Sequence, residues 1–292
     1  MLYELTPSEK VVLETIRKNN DSLKSKLVEE SNLPWATVTT AINSLYEKKW
    51  VDYRGEKNET VHLNSDKLFF IGMSIGSSNL KISITTLMCE ELILNEIDAH
   101  SDVFITDEFK KIDGFECQKG DSALWCFVTP NDYVKLSRLL SEVCRVLLSY
   151  FNELTIASIC FVFPGHIDIE NQKIINSSYS KLQIWASDID RILDSDVIDM
   201  IHSKNISMYI DHNVKASTAY ELSNIIKEKN KNFFGSLAVI YLGLGLGMGI
   251  VINGQLYRGG SSNLAGQLGH NRVQKVSDEY INDYFNDVTK KF

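Results

Sequence analysis

Apolar residues recur three and four positions apart over the first fifty residues and then alternate strictly, a change from helical to extended backbone. Val11, Val12, Leu13 and Ile16 share a helical face behind Thr6-Pro7-Ser8-Glu9. There Thr6 can cap, Pro7 suits the first helical position, and Glu9 completes a capping box. A second helix is predicted from Ser22, with Leu23, Leu27 and Val28 inward, and Asn32-Leu33 makes the turn. Pro34 opens a third helix with Val38, Ile42, Leu45 and Tyr46 on its inner face. Alternation over 50–53 and 60–63 around the polar stretch 54–58 predicts a hairpin.

Beyond Lys67 the pattern predicts an α/β body. Segments 69–75, 80–87 and 91–99 read as a meander of three strands, and 101–133 as an irregular polar insert with an extra hairpin over 115–128. An amphipathic helix follows over 132–152, then a buried strand over 156–163 ending at Pro164-Gly165. A helix over 187–204, a strand over 206–211 and a helix over 216–229 come next. A glycine-studded strand pair over 237–252 and a strand over 255–257 complete the pattern. The change of character places a small domain at residues 1–64 and a larger one at 65–292.

A length of 292 residues suits about two domains. With 44% hydrophobic and 23% charged residues the chain can bury a core, and no apolar run is long enough for a bilayer. The N-terminus lacks the basic start and apolar run of a signal peptide, so the expected location is cytoplasmic, with no membrane partner. Cys89, Cys117, Cys126, Cys144 and Cys160 form no CxxC or CxC pair, which points to reduced thiols rather than disulfides or zinc. Net charge is −8, and residues 1–64 balance to −1. DNA binding would therefore rest on motif and local charge placement, with affinity drawn from dimerisation.

The segment 23–50 has the parts of a helix-turn-helix: a short helix, a tight turn and a second helix with hydrogen-bonding side chains outward. Trp35, Thr37, Thr39, Thr40 and Asn43 occupy that outward face. Asn pairs bidentately with adenine and Thr contacts base edges or thymine methyls. Lys24, Lys26, Lys48, Lys49, Arg54 and Lys57 flank the helix and the hairpin, where phosphates of a double-stranded operator would run. With no arginine on the reading helix, guanine readout is disfavoured and an A·T-rich operator expected. A three-helix protein-interaction module has the same core pattern.

Four further segments carry a family resemblance. They are Phe70-Ile71-Gly72-Met73-Ser74-Ile75-Gly76 with Lys81-Ile82-Ser83-Ile84; Phe163-Pro164-Gly165-His166-Ile167-Asp168; Leu242-Gly243-Leu244-Gly245-Leu246-Gly247-Met248-Gly249 running on to Arg258-Gly259; and Ala265-Gly266-Gln267-Leu268-Gly269-His270. In this order behind a winged helix-turn-helix, they resemble the ROK family of repressors, open reading frames and kinases. The resemblance implies an actin-like, ribonuclease-H-like fold of two lobes (about 65–204 and 205–292) with a sugar cleft between them. It also implies a second lobe that is incomplete, since only 22 residues follow His270.

The departures from the family pattern bear on activity. Ser74 stands where the first phosphate motif carries an Asp, near Gly76. Leu244 replaces a hydroxyl residue in the second, whose glycines Gly243, Gly245 and Gly247 would otherwise approach phosphates. The same glycines also suit a closely packed, twisted hairpin. The family's general base is an Asp eight residues before a Glu. Counting back from Glu221 gives Asn213, preceded by His212, and an amide cannot accept the proton of a sugar hydroxyl. A slip of two residues would make Asp211 the base instead. Gln267 replaces a sugar-gripping Glu, and His270 survives although no cysteine follows Cys160 to build the family's zinc module. The resemblance thus implies a dimeric transcriptional regulator, a repressor of carbohydrate genes, with no catalytic residue, no cofactor and no metal. Gly165, His212, Asn213, Gln267 and His270 are its candidate contacts to a sugar or sugar-phosphate effector. An ATP-dependent sugar kinase with a fused head is the alternative.

Overall fold

The computed structural model describes residues 5–19, 21–55, 60–64, 68–76, 78–87, 101–113, 125–151, 155–177, 184–188, 191–229, 235–242, 246–260 and 264–268. The chain begins with α1 (Pro7–Asn19), closed by the expected capping box: Thr6 N donates to Glu9 Oε2 at 2.5 Å and Glu9 N to Thr6 Oγ1 at 3.3 Å. Strand β1 (Asp21–Leu23) leads into α2 (Lys24–Ser31), and Asn32 (φ 54°) turns the chain towards α3 (Trp35–Glu47). Strands β2 (Val51–Arg54) and β3 (Thr60–Leu63) complete an antiparallel sheet of order β1-β3-β2.

Val12, Ile16, Leu27, Val38, Ile42 and Leu45 fill the core of this head. Two expectations fail there. Leu23 is 50% exposed because residues 21–23 are extended and pair with β3, which turns Ser22 inward and delays the helix to Lys24. Tyr46 is 48% exposed and packs instead on Tyr53, with ring centroids 5.1 Å apart.

The body is built on a five-stranded sheet of order β11-β7-β4-β5-β6. Its strands are β4 (Leu68–Ile75), β5 (Asn79–Thr86), β6 (Trp125–Val128), β7 (Thr155–Phe163) and β11 (Ser207–His212). β4, β7 and β11 are parallel, and β5 and β6 antiparallel to their neighbours. β11 thus belongs to the first sheet, which is complete only at His212, beyond the lobe boundary expected near residue 204. The segment 91–99 lies outside the described residues, and β6 is the strand beside β5.

Helix α4 (Ser101–Phe109) occupies part of the insert read as irregular. Its polar composition hid Ile105 and Phe109, four apart and fully buried, with Phe109 edge-on to Trp125 and Phe127. Helix α5 (Tyr133–Tyr150), capped by Asp132 accepting from Lys135 N, lays Leu136, Leu140, Val143 and Leu147 on the sheet. Strands β8 (His166–Asp168), β9 (Lys173–Ser177) and β10 (Ile184–Asp188) form a small antiparallel sheet. The helix expected over 187–204 is therefore shorter: pairing with β9 keeps 184–188 extended, and α6 spans Ser195–Ser203. Helix α7 (Asn213–Lys229) starts three residues earlier than expected, directly from β11. A second sheet follows, of order β12 (Leu237–Leu242), β13 (Leu246–Ile252), β14 (Gln255–Tyr257).

Head and body share a core. Leu68 and Ala157, at the beginnings of β4 and β7, are buried with Trp50, Val61 and Leu63, and Phe70 packs beside Trp50 at 6.1 Å between ring centroids. The same two strands end at Gly76 and at the Pro164-Gly165 turn. The head therefore sits at one end of a ribbon about 25 Å long, at roughly 3.3 Å per residue, and those turns at the other. Among the described residues no helix is long and apolar enough to cross a membrane.

Candidate functional site

At the far end of the ribbon an open cleft is lined by the Pro164-Gly165-His166 turn, His212 at the end of β11, Asn213 and Val214 at the start of α7, Tyr241, Leu246 to Met248, and the loop Ala265-Gly266-Gln267. Parallel strands deliver their C-terminal ends here, where open α/β sheets place their ligands. Gly165, with φ 109°, lets the chain reverse between β7 and β8. Gly266 (φ 75°) has no alternative: a Cβ there would lie 2.0 Å from Met248 O, while its own carbonyl accepts from Met248 N at 2.8 Å.

The polar groups are bound to one another. His166 Nε2 donates to Gln267 Oε1 at 3.1 Å, across the cleft. His212 Nδ1 accepts from Val214 N at 3.2 Å, and Asn213 Oδ1 from the same N–H at 2.8 Å. Burial first, and then the charge of Lys215, hold the His212 imidazole down at about 4, so it is neutral near pH 7 and keeps Nε2–H as a donor.

Lys215 is buried (1% exposed) and donates to the carbonyls of Ala265 and Met248, pinning the Gln267 loop to β13. Its burial, aided by Arg258, lowers its pKa, against the pull of Asp211. Asp211 itself is not among the cleft-lining residues. Arg258, just past β14, grips it with both terminal nitrogens at 2.7 and 2.8 Å. Among the described lining residues there is no carboxylate.

Of the candidate effector contacts, Gly165, His212, Asn213 and Gln267 come together in this cleft, and His270 lies outside the described residues. Sequence reasoning missed His166, Lys215 and Arg258. A lysine inside the small-residue run Val214-Lys215-Ala216-Ser217-Thr218-Ala219 was the available signal for the second.

The phosphate-motif positions divide. Ser74 pairs with Val162 and Lys81 on the sheet and Gly76 N donates to Asn79 O in the β4–β5 turn; neither lines the cleft. Gly243 and Gly245 lie outside the described residues. Gly247 and Gly249 are contact points for α7: a Cβ at Gly247 would lie 2.7 Å from Val214 Cγ2, and one at Gly249 would lie 1.7 Å from Thr218 Oγ1. Their packing role accounts for both without any phosphate. The zinc module of the resemblance does not fit either, because no cysteine follows Cys160.

In the head, α3 presents Trp35 (56% exposed), Thr40 and Asn43 to solvent, with Thr37 and Thr39 half-buried. Lys48, expected beside a phosphate, is turned into the head. Its ammonium is 2.7 Å from Glu9 Oε1, and Glu9 is 3% exposed, so the charge is spent inside the head. Burial alone would raise the Glu9 carboxyl, but hydrogen bonds from Lys48, Ser44 and Thr6 outweigh it and hold it at about 2. Arg54 ends β2, exposed; Lys57 lies outside the described residues. Lys24 Nζ stands 4.9 Å over the Tyr53 ring, whose hydroxyl donates to Asn43 Oδ1 at 3.2 Å.

Comparison with known proteins adds three findings. A family model described as "ROK family" matches residues 130–285. Two curated proteins, each called "Xylose repressor", are similar along most of the chain. That of Staphylococcus xylosus is 23% identical over 97% of this chain and 65% of its own length; that of Bacillus spizizenii is 24% identical over 90% and 59%. The chain thus spans less than two thirds of these relatives. In structure, a crystallised ROK family transcriptional regulator, a homologue of the E. coli MLC protein, superposes with a TM-score of 0.61 at 16% identity. It covers 97% of this chain and 68% of the other, a likeness of fold.

Proposed function

The chain belongs to the ROK family, and on that footing we propose that it is a sugar-responsive transcriptional repressor whose kinase-like cleft binds without catalysing. The head, residues 1–64, acts as a winged helix-turn-helix with α3 as reading helix and β2–β3 as wing. Trp35, Thr37, Thr39, Thr40 and Asn43 face the major groove, with Lys24, Lys26, Arg54 and Lys57 towards the phosphates. Residues 65–292 form the effector domain. The chain works in the cytoplasm as a homodimer, which supplies the second half-site contact that an acidic monomer needs.

One observation carries the non-catalytic reading: no described cleft residue offers a carboxylate, because Asn213 stands at the start of α7 and Asp211 is held by Arg258. Phosphoryl transfer to a sugar hydroxyl needs a base within hydrogen-bond reach. Amides and a neutral imidazole suit the recognition of hydroxyl groups, and the Tyr241 ring offers a sugar face a stacking surface. Xylose is the first effector to test, given the names of the two relatives.

The ligand acts by favouring one arrangement of the lobes, which the β4 and β7 ribbon conveys to the head. The test is a thermal-shift and gel-shift pair on the full chain, with xylose and a panel of sugars. At 100 times its dissociation constant a ligand raises stability by about 2.7 kcal/mol, and it releases the chain from duplex DNA selected on it. ADP release from ATP with any sugar on the panel would refute the reading.

A further inference from the structure

The wing decides how Asn43 reads a base. An asparagine pairs with adenine by using its amide oxygen and one N–H together, against N6–H and N7. In this head Asn43 Oδ1 already accepts from the Tyr53 hydroxyl at 3.2 Å. Tyr53 is fixed in turn from two sides: the Tyr46 ring lies 5.1 Å away at 43°, and the Lys24 ammonium stands 4.9 Å over its ring. That bond takes one lone pair of the oxygen and turns it towards the wing, so the opposite side of the exposed amide leads with its two N–H donors. Guanine is the base that shows two adjacent acceptors, O6 and N7, in the major groove. We propose that Tyr53 is a positioning residue that turns Asn43 from an adenine reader into a donor-only reader of guanine. This inference rests on the DNA-binding function proposed above, and it reverses the expectation, drawn from the absence of arginine in α3, that guanine is not read.

The experiment is selection of the full chain on a library of random 20-base-pair duplexes, with sequencing of the bound fraction, for the wild type, Asn43→Ala and Tyr53→Phe. Asn43→Ala marks the position read by that side chain, as the one whose preference flattens. The wild type is expected to prefer guanine there. Tyr53→Phe keeps the ring and its two neighbours but releases Oδ1. It is expected to shift guanine-over-adenine preference at that same position by about fivefold or more, within the discrimination of one bidentate pair. A loss of head stability alone would weaken all duplexes alike and would not change which base is chosen. Identical preferences in wild type and Tyr53→Phe, or a wild-type choice of adenine, overturn the inference and leave DNA binding standing. A wild-type chain that enriches no sequence overturns the DNA-binding function as well.

Discussion

Arg258 holds Asp211 in a two-pronged ion pair, 2.7 and 2.8 Å long, that joins the last turn of the second sheet to the end of β11 in the first. Asp211 is the carboxylate nearest Asn213 in sequence, and it is spoken for. The pair is only partly shielded, with side-chain exposures of 34% for Arg258 and 19% for Asp211.

Removing one member strands the other, which costs more than the pair contributes. Asp211→Ala is expected to lower unfolding free energy by about 1–3 kcal/mol. Arg258→Met in the same chain should recover part of that loss. Denaturant titrations of both single variants and the double variant measure the coupling. Additive losses would show that the two side chains do not hold each other in solution.

The α7–β13 contact makes a second prediction. Gly249→Ala places a methyl 1.7 Å from Thr218 Oγ1 and 2.5 Å from Thr218 Cβ. Overpacking of this kind costs about 1–3 kcal/mol. Thr218→Ala removes Oγ1 and Cγ2 but leaves its Cβ in place, so the double variant should regain part of the stability and not all. A phosphate-binding glycine would behave otherwise: its alanine variant would keep its melting temperature and lose nucleotide-induced stabilisation.

A third prediction concerns acid and the head. Glu9 is held at about 2 in the folded chain against 4.5 for an unperturbed Glu side chain. Between those values the unfolded state binds a proton that the folded state does not. The stability due to Glu9 is thus complete above pH 4.5 and is lost as pH falls towards 2. Lys48→Met leaves the buried carboxylate without its cation, so its pKa rises, the gap to the unfolded value narrows, and the Glu9 contribution to acid sensitivity shrinks. Denaturant titrations at neutral and at acid pH should show the variant less stable at neutral pH and losing less on acidification. Lys48→Met should also leave the salt slope of DNA binding unchanged, since its ammonium is paired with Glu9, whereas Lys24→Met should reduce it.

Local chemistry made much of this fold legible in advance. The capping box at Thr6 and Glu9, the turn at Asn32 and the glycine-studded pair β12–β13 follow from short-range rules that tertiary contacts leave intact. Periodicity failed where pairing decided the backbone instead. Residues 22–23 and 187–188 suit a helix by pattern and are extended because β3 and β9 offer them partners. The cleft was half legible. Motif spacing located Gly165, His212, Asn213 and Gln267, but spacing cannot say which charges neutralise each other. Lys48 looked like a surface cation and Asp211 like a spare base; both are consumed by residues 39 and 47 positions away.

Strands β4 and β7 run from beneath the head to the mouth of the cleft without interruption except for one bulge at Phe69/Phe70. Point substitutions at either end leave the pairing of the other end untouched, so the cleft and the exposed face of the head are free to change separately. Insertion of a single residue within Leu68–Ile75 is another matter. It would turn Met73 and Ile75 out of the core and drag Ser74 into it, disturbing the cleft and the base of the head at one stroke.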